Sequence, residues 1–249
     1  MSFTKGFLVL FIILSINLFA KGMPSEYYAI KNTKKAKAYF SEYIYKLTKK
    51  ENLKILEERK FVKNILSSTK LKTNITKSEL KRLKELQKRY RVKKLYDLKS
   101  YLLRIDIIPP SLSIAQAAVE SAWGKSRFTK KANNIFGHWT YNKKNGIVPK
   151  RRPAGSKHLI RVFKNIHDSL AAYMLNLNSH IAYKSFQNKR YQARIKNRNP
   201  MGMELSQTML KYSGIGKRYL VILKSVIKKN KLTNYDKRFY QEIKKINQI

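Results

Sequence analysis

Residues 109–124 have the sequence PPSLSIAQAAVESAWG, and this stretch decides the fold of the chain. At about 100° of rotation per residue, its apolar positions recur with the spacing of an α-helix. One face holds Leu112, Ala115, Gln116, Val119, Ala122 and Trp123. Ile114 and Ala118 make the far side apolar too, which predicts a helix buried on most sides. The proline pair suits the start of this helix, and Gly124 suits its end.

Glu120 lies at the inner end of this predicted helix, where a carboxyl group is poorly solvated and its protonated form is favoured. That is the form that a general acid must hold at neutral pH. Residues 121–167 contain no Asp or Glu. The acids of residues 106–230 are Asp106, Glu120, Asp168 and Glu204. The same residues are equally consistent with a structural ion pair between Glu120 and Arg127.

The composition limits the class of protein. The 249 residues allow one elaborated domain or two small ones, and 43% hydrophobic residues are enough for a folded core. The absence of cysteine excludes disulfides, thiolate metal sites and cysteine catalysis. The four histidines lack the spacing of metal ligands. We therefore expect no metal and no other cofactor.

The N-terminus has the features of an export signal. Lys5 precedes an apolar run that ends at Ala20. This run is shorter than the roughly 20 residues that a spanning helix needs. Residues 1–20 are thus predicted to be a secretory signal or an uncleaved N-terminal anchor. The sequence predicts an exported protein of the periplasm or cell envelope.

The formal charge is +41, from 55 Lys and Arg against 14 acids. A charge of this size first suggests a protein that binds nucleic acid. The basic residues are spread along the chain without a clustered stripe, and an exported protein seldom meets chromosomal DNA. We expect no specific nucleic acid. The candidate partners are peptidoglycan carboxylates, anionic wall polymers and lipid headgroups. Richness in Lys, Asn and Ile is also explained by nucleotide bias without any selected partner.

Two regions flank the segment that carries the chemistry. Residues 21–105 are predicted to be helical, with a capping box at Thr76–Glu79. Residues 106–230 form the predicted catalytic domain, and residues 231–249 are expected to complete a last helix and a basic tail. No chemistry is evident in either flanking region.

A small β-lobe is predicted to interrupt the helices. Asn145-Gly146 is a hairpin signal between extended segments, and the return strand is expected at residues 158–163. Asn165 then suits the cap of a helix that runs through Leu177 and ends near Asn178.

These residues resemble a known family. QAAVESAWG at 116–124 is similar to the catalytic helix of the bacterial glucosaminidase superfamily, and NNIFG at 133–137 is similar to its second signature. Three further stretches narrow the resemblance to the Bax-type members. They are PKRR at 149–152, AYMLNLN at 172–178 with His180 and Tyr183, and YSGIG at 212–216. The resemblance is firm over residues 106–225.

The resemblance implies a mainly α, lysozyme-like helical domain with a small β-hairpin lobe, preceded by an N-terminal helical region. It implies a peptidoglycan hydrolase that cleaves glycan strands next to N-acetylglucosamine. We expect the protein to be a monomer. Glu120 occupies the position of the general acid, and Tyr212 that of a tyrosine near the reacting sugar. Asn134 and Phe136 would lie in the floor of the cleft.

Further substrate contacts are expected around this centre. Trp139 and Tyr141 could stack on sugar faces, or simply pack the lobe. Gln116, one turn before Glu120, could bond the acid or an acetamido group, or satisfy a neighbour. Tyr183 belongs to the Bax-type motif.

The hairpin lacks the second acid that some glucosaminidases carry, and Asp168 suits a helix start instead. This favours a mechanism in which the 2-acetamido group of the substrate attacks C1 while Glu120 protonates the leaving oxygen. Two alternatives stay open. A lytic transglycosylase uses one Glu on a similar helix, and a basic wall-binding or nucleic-acid-binding protein would need no catalysis.

Overall fold

The computed structural model describes residues 22–67, 75–149 and 155–246. The predicted export signal at 1–20 lies outside the described residues, and so do residues 150–152 of the PKRR motif. Within the described part of the chain, no helix is both long and apolar enough to cross a membrane.

The described residues form eleven α-helices and a small sheet. The helices are α1 Ser25–Ala29, α2 Thr33–Ser67, α3 Lys77–Tyr90, α4 Leu98–Arg104, α5 Pro110–Ser121, α6 Arg127–Ala132, α7 Ile166–Ser179, α8 Lys184–Ile195, α9 Gly202–Leu205, α10 Lys217–Lys229 and α11 Thr233–Ile246. Short 3₁₀ helices lie at Lys143–Asn145, Ile181–Tyr183 and Ser206–Lys211. The prediction of a mainly α fold with a small β-lobe is confirmed.

Helix α5 is the centre of the fold. It packs against α2, α9, α10 and α11, and its residues from Pro110 to Ala118 are all buried. Pro109 caps the helix and Pro110 fills its first turn, where a missing N–H costs nothing. The helix ends when Ala122 adopts a left-handed conformation with φ 50°. The predicted buried helix is confirmed, except that Ala122 is exposed because it lies beyond the helix end.

The β-lobe differs from the predicted hairpin. Strands β1 (Trp139–Thr140) and β2 (Gly146–Ile147) both pair antiparallel with β3 (Leu159–Arg161), which lies between them. The prediction of a turn at Asn145-Gly146 is wrong. Asn145 ends a 3₁₀ helix, and Gly146 has an extended φ of −138° rather than the positive φ of a two-residue turn. The return strand lies within the predicted segment.

Two predicted helix starts are confirmed. The side chain of Thr76 accepts a hydrogen bond from the backbone N–H of Glu79 at 3.2 Å, and the Glu79 carboxylate accepts one from the backbone N–H of Thr76 at 3.0 Å. Asn165 caps α7 by accepting from the backbone N–H of Asp168 at 2.9 Å. These caps satisfy N–H groups that have no partner within their helices.

A buried carboxylate anchors the loop before α5. Asp106 is fully buried, and Arg194 on α8 donates to both of its oxygens, at 3.0 and 2.9 Å. Arg190, also fully buried, donates to the backbone carbonyls of Asp106 and Ile107 at 3.0 Å. Burial raises the pKa of Asp106, but the charges of the surrounding arginines outweigh it and hold that pKa below its usual range.

A second carboxylate anchors α11 to the first turn of α5. Asp236 is fully buried and accepts from the backbone N–H and hydroxyl of Ser111, at 2.8 and 2.6 Å. It also accepts from the backbone N–H of Gly202 at 2.9 Å. A Cβ at Gly202 would lie 2.1 Å from the Ser111 hydroxyl oxygen, so only glycine permits this approach. The last described helix is therefore an integral part of the core.

Candidate active site

Glu120 is the single acid of α5, and its described surroundings contain tyrosines rather than cations. Its side chain is partly buried, and the Tyr219 hydroxyl donates to its Oε1 at 2.7 Å. Among the described residues, no Lys, Arg or His lies within ion-pair distance of it. Arg127 lies over the Phe128 ring instead, 4.9 Å from the centroid. The alternative of a Glu120–Arg127 ion pair is therefore not found.

The protonation of Glu120 reflects two opposing effects. Burial raises the pKa of Glu120, whereas the hydrogen bond from Tyr219 lowers it, and burial is the larger effect. Its Oε2 accepts no hydrogen bond from any described side chain. A carboxyl group in this state keeps a proton at higher pH than usual and has one oxygen available to deliver it.

A directional chain of hydrogen bonds leads to Glu120. The Tyr173 hydroxyl donates to Oε1 of Gln116 at 2.7 Å, and Nε2 of Gln116 donates to the Tyr219 oxygen at 3.2 Å. Because that donation occupies the Tyr219 oxygen as an acceptor, its own hydrogen is directed to Glu120. Gln116 is fully buried and bonds two tyrosines, so its amide is not open to a substrate.

The position of Tyr219 follows from the start of α10. Gly216 has φ 56° and ψ −127°, a backbone conformation that residues other than glycine rarely adopt. The Tyr219 N–H donates to the Gly216 carbonyl at 3.0 Å, which closes the first turn. Tyr219, Leu223 and Ile227 recur every four residues and are buried together. This face carries Tyr219 against α5.

Tyr212 does not bond Glu120 but belongs to the same aromatic wall. Its ring stacks on Tyr219 with centroids 5.6 Å apart and planes 10° apart. Tyr173 and Tyr183 lie 6.2 and 6.1 Å from it. Burial raises the pKa of Tyr173, Tyr183 and Tyr212, and the negative charge of Glu120 adds to the rise in each. All of these tyrosines thus lie within the electrostatic reach of Glu120.

The two predicted residues of the NNIFG motif have different surroundings. Phe136 is buried and stacks on Tyr173, with centroids 3.9 Å apart and planes 2° apart. Asn134 is buried in the lobe, and its amide donates to the backbone carbonyls of His138 and Arg161 at 2.8 and 2.9 Å. Both amide hydrogens of Asn134 therefore hold the loop in shape.

The remaining predicted contacts lie on the β-lobe surface. Trp139 is 62% exposed and Tyr141 is 74% exposed. The Trp139 ring stacks on His158 at 4.1 Å, which fixes its orientation. Exposed rings of this kind are available to a ligand, although neither bonds to the residues around Glu120.

Two other titratable groups near the lobe are poor candidates for acid chemistry. Burial lowers the pKa of His138 to about 4, so this ring is neutral at ordinary pH. Asp168 lies in the first turn of α7, where the helix dipole stabilises a negative charge.

Sequence reasoning missed Tyr219 and Tyr173. Tyr219 follows the YSGIG motif and begins the buried face of α10, which was visible as an apolar repeat. Tyr173 lies inside the quoted AYMLNLN motif. Their convergence on Gln116 was not visible, because the two hydrogen bonds join residues 57 and 103 positions apart.

Comparisons with known proteins identify the family of the chain. Residues 97–232 match the glucosaminidase family, described as mannosyl-glycoprotein endo-beta-N-acetylglucosaminidase. Protein bax of Escherichia coli (strain K12) is 32% identical over 174 residues, which cover 68% of this chain. The match spans 60% of the length of that relative. No solved structure is significantly similar to the chain.

Proposed function

The chain belongs to the glucosaminidase family, and from this premise we propose that it is an exported endo-β-N-acetylglucosaminidase of peptidoglycan. Glu120 acts as its general acid. One observation carries the proposal: Glu120 is partly buried, no described cation lies within ion-pair distance of it, and the Tyr219 hydroxyl donates to one of its oxygens at 2.7 Å. This arrangement suits a group that must be protonated before the reaction and charged after it.

The first step breaks the glycosidic bond. Oε2 of Glu120 gives its proton to the glycosidic oxygen while the bond from that oxygen to C1 breaks. The carbonyl oxygen of the 2-acetamido group on the same sugar attacks C1 and forms a cyclic oxazolinium. Tyr219 then stabilises the new carboxylate through its existing hydrogen bond.

The second step returns the enzyme to its starting state. Glu120, now a carboxylate, takes a proton from a water molecule as the water oxygen attacks C1. The bond from C1 to the acetamido oxygen breaks, which restores the acetamido group. The products are a reducing N-acetylglucosamine end and a protonated Glu120, so the balance is one bond hydrolysed by one water.

The acid-free stretch that follows Glu120 in the sequence supports this scheme. Residues 121–167 contain no Asp or Glu. A protein nucleophile would have to lie about 5–5.5 Å from Glu120, and a general base about 6.5–9.5 Å from it.

The available hydroxyl of Tyr212 is suited to orient the acetamido group, since it bonds to no described residue and its ring is fixed on Tyr219.

The deciding experiment is digestion of purified peptidoglycan by the wild type and Glu120→Gln, with the new reducing ends identified by mass spectrometry. We expect N-acetylglucosamine ends from the wild type and a loss of about 10²–10⁴-fold in the variant, the usual contribution of a general acid. Anhydro-muramic ends, lighter by one water, would make the protein a lytic transglycosylase. No cleavage by the wild type would refute the enzyme.

Asp168→Asn is the matched control for the one-carboxylate scheme. Because Asp168 lies in the first turn of α7, we expect this variant to keep at least about a third of the wild-type rate, as for a surface change of about 0.5 kcal/mol. A loss equal to that of Glu120→Gln would mean that a second carboxylate takes part.

A further inference from the structure

A groove runs along the first half of α2 on a part of the surface that contributes no residue to the Glu120 site. Two cavities of about 690 and 680 Å³ adjoin here, and Ala38 and Tyr235 line both of them. Between Thr33 and Lys46, α2 lines the groove over about 20 Å at 1.5 Å per residue. We refer to these two joined cavities as the α2 groove.

One end of the α2 groove is cationic. Lys34 and Lys37 reach it from α2, and Lys229 and Lys231 reach it from the end of α10. No acidic residue in the described part of the chain lines this cavity. Within the described parts of the chain, none of the four lysines forms an ion pair. Four cations without counter-charges attract an anionic ligand.

The other end of the α2 groove is aromatic. Tyr39, Tyr43 and Tyr235 line it. The Tyr39 hydroxyl donates to Glu26 at 2.8 Å, and the Tyr235 ring lies 5.2 Å from that of Tyr45, so both rings are held in place. Fixed tyrosine rings offer an apolar face and a polar edge, which suits a sugar ring.

The acid of the aromatic end is neutralised. Glu42 lines this cavity, and Arg238 on α11 donates to both of its oxygens at 2.9 and 3.2 Å. The groove therefore keeps a net positive charge, with Lys35 and Lys46 adding to it at this end.

We propose that the α2 groove binds a second stretch of the peptidoglycan strand. The lysines contact free carboxylates of its stem peptides, and the tyrosines contact its sugars. This inference rests on the proposed function, since it takes the same polymer as its ligand. The groove lies near the Glu120 end of α5, because Nζ of Lys37 is 4.9 Å from the ring centroid of Trp123, which follows Glu120 by three residues. A strand held here stays close to the site between cuts.

The test uses Glu120→Gln throughout, so that the polymer is not degraded. Affinity for insoluble peptidoglycan is measured by sedimentation for this protein, for the same protein with Lys34→Gln, Lys229→Gln and Lys231→Gln, and for a charge-matched control. The control carries Lys81→Gln, Lys84→Gln and Lys88→Gln on the exposed face of α3, which lines a groove without tyrosines. Melting curves check that both triple variants are folded.

We expect the α2-groove variant to bind about tenfold more weakly, from three lost charge contacts, and the control to change less than about twofold. Amidation of the stem-peptide carboxylates should remove the difference between the two variants. Equal losses in both variants would mean that only total charge matters. Lysine-dependent binding to anionic lipid vesicles, with unchanged binding to peptidoglycan, would also overturn the proposal.

A cleavage assay separates this inference from the proposed function. In the otherwise wild-type protein, the α2-groove variant should cleave short soluble glycan fragments as fast as the unmodified protein. If the unmodified protein cleaves nothing, the proposed function fails, and the binding comparison still tests the groove.

Discussion

A poorly solvated carboxyl group lies near each end of α5, and the protein holds these two groups in opposite ways. Asp106, just before the helix, is surrounded by arginines that lower its pKa. Glu120, at the end of the helix, has a raised pKa and a tyrosine as its partner. Burial alone raises both pKa values, so the type of partner determines the protonation of each group.

This difference gives the two carboxyl groups different roles: Asp106 stabilises the fold, and Glu120 is suited to acid chemistry. At the Asp106 end, the cations keep the carboxylate charged, and the arginines of α8 join that helix to α4 and to the loop before α5. At the Glu120 end, a cation would hold the acid in its charged form and remove the proton that cleavage needs. We infer that the lack of a cation near Glu120 among the residues that the structure describes is a functional feature, and each prediction below tests the contrast between the two ends.

The largest effect is expected from Asp106→Asn. Loss of one partner of a buried ion pair costs about 3–5 kcal/mol because the fully buried Arg190 and the partly buried Arg194 lose their counter-charge. At about 2–4 °C per kcal/mol, Tm should fall by about 6–20 °C in calorimetry at pH 7. The control is Glu204→Gln, whose carboxylate lies 4.0 and 3.6 Å from surface cations and should change stability by less than about 0.5 kcal/mol.

The pH dependence of that loss has a defined sign. The folded-state pKa of Asp106 is below its unfolded value. Its stabilisation is therefore complete above the unfolded carboxyl pKa and is lost as the pH falls through the folded one. The gap in Tm between wild type and Asp106→Asn should narrow in acid. A constant gap would mean that packing, not charge, accounts for the loss.

The two ends also differ in how much of them was predictable from sequence. Glu120 was singled out as the candidate acid because it is the one acid of a predicted buried helix and a long acid-free segment follows it. The caps at Thr76 and Asn165 were predictable because a cap depends on residues three positions apart. Asp106 was counted among the candidate acids, but Arg194 lies 88 positions away, so their ion pair was not predictable.

The hydrogen bond from Tyr219 to Glu120 was not predicted, for a related reason, and the role of Tyr212 near the reacting sugar stays a prediction. Tyr212 and Tyr219 are seven residues apart, and the turn at Gly216 determines which one faces the acid. The β-lobe pairing was wrong because a local turn signal outweighed the central position of β3, which depends on tertiary contacts. Residues that act through contacts within a few positions were predicted; those that meet across the fold were not.

A smaller effect is expected from Tyr219→Phe, which keeps the ring and removes its hydroxyl. The hydrogen bond to Glu120 lowers the pKa of that acid, so its loss should raise the pKa and move the alkaline limb of the pH–rate profile to higher pH. We also expect kcat to fall about tenfold, because a charge-assisted hydrogen bond of about 1.5 kcal/mol no longer stabilises the new carboxylate.

Tyr212→Phe is the matched variant for this prediction. Its hydroxyl bonds no described residue, so its removal should lower kcat without moving the alkaline limb. A shifted limb in Tyr212→Phe and an unshifted one in Tyr219→Phe would exchange the roles of the two tyrosines. The stacked rings are retained in both variants, so packing is controlled.

The smallest effect is an increase in stability in Glu120→Gln, the opposite of the loss expected for Asp106→Asn. The pKa of Glu120 is higher in the folded protein than in the unfolded chain. Its folded form therefore loses stability as the pH rises through the interval between the two values. Gln carries no charge and escapes that loss, although its amide must still meet the Tyr219 hydroxyl.

We expect Tm gains of a few degrees at pH 8, on the order of 1 kcal/mol, and no gain near pH 4. A lower Tm at pH 8 would mean that Tyr219 and Gln116 stabilise the carboxylate more than burial destabilises it, and the contrast between the two ends of α5 would then be one of degree.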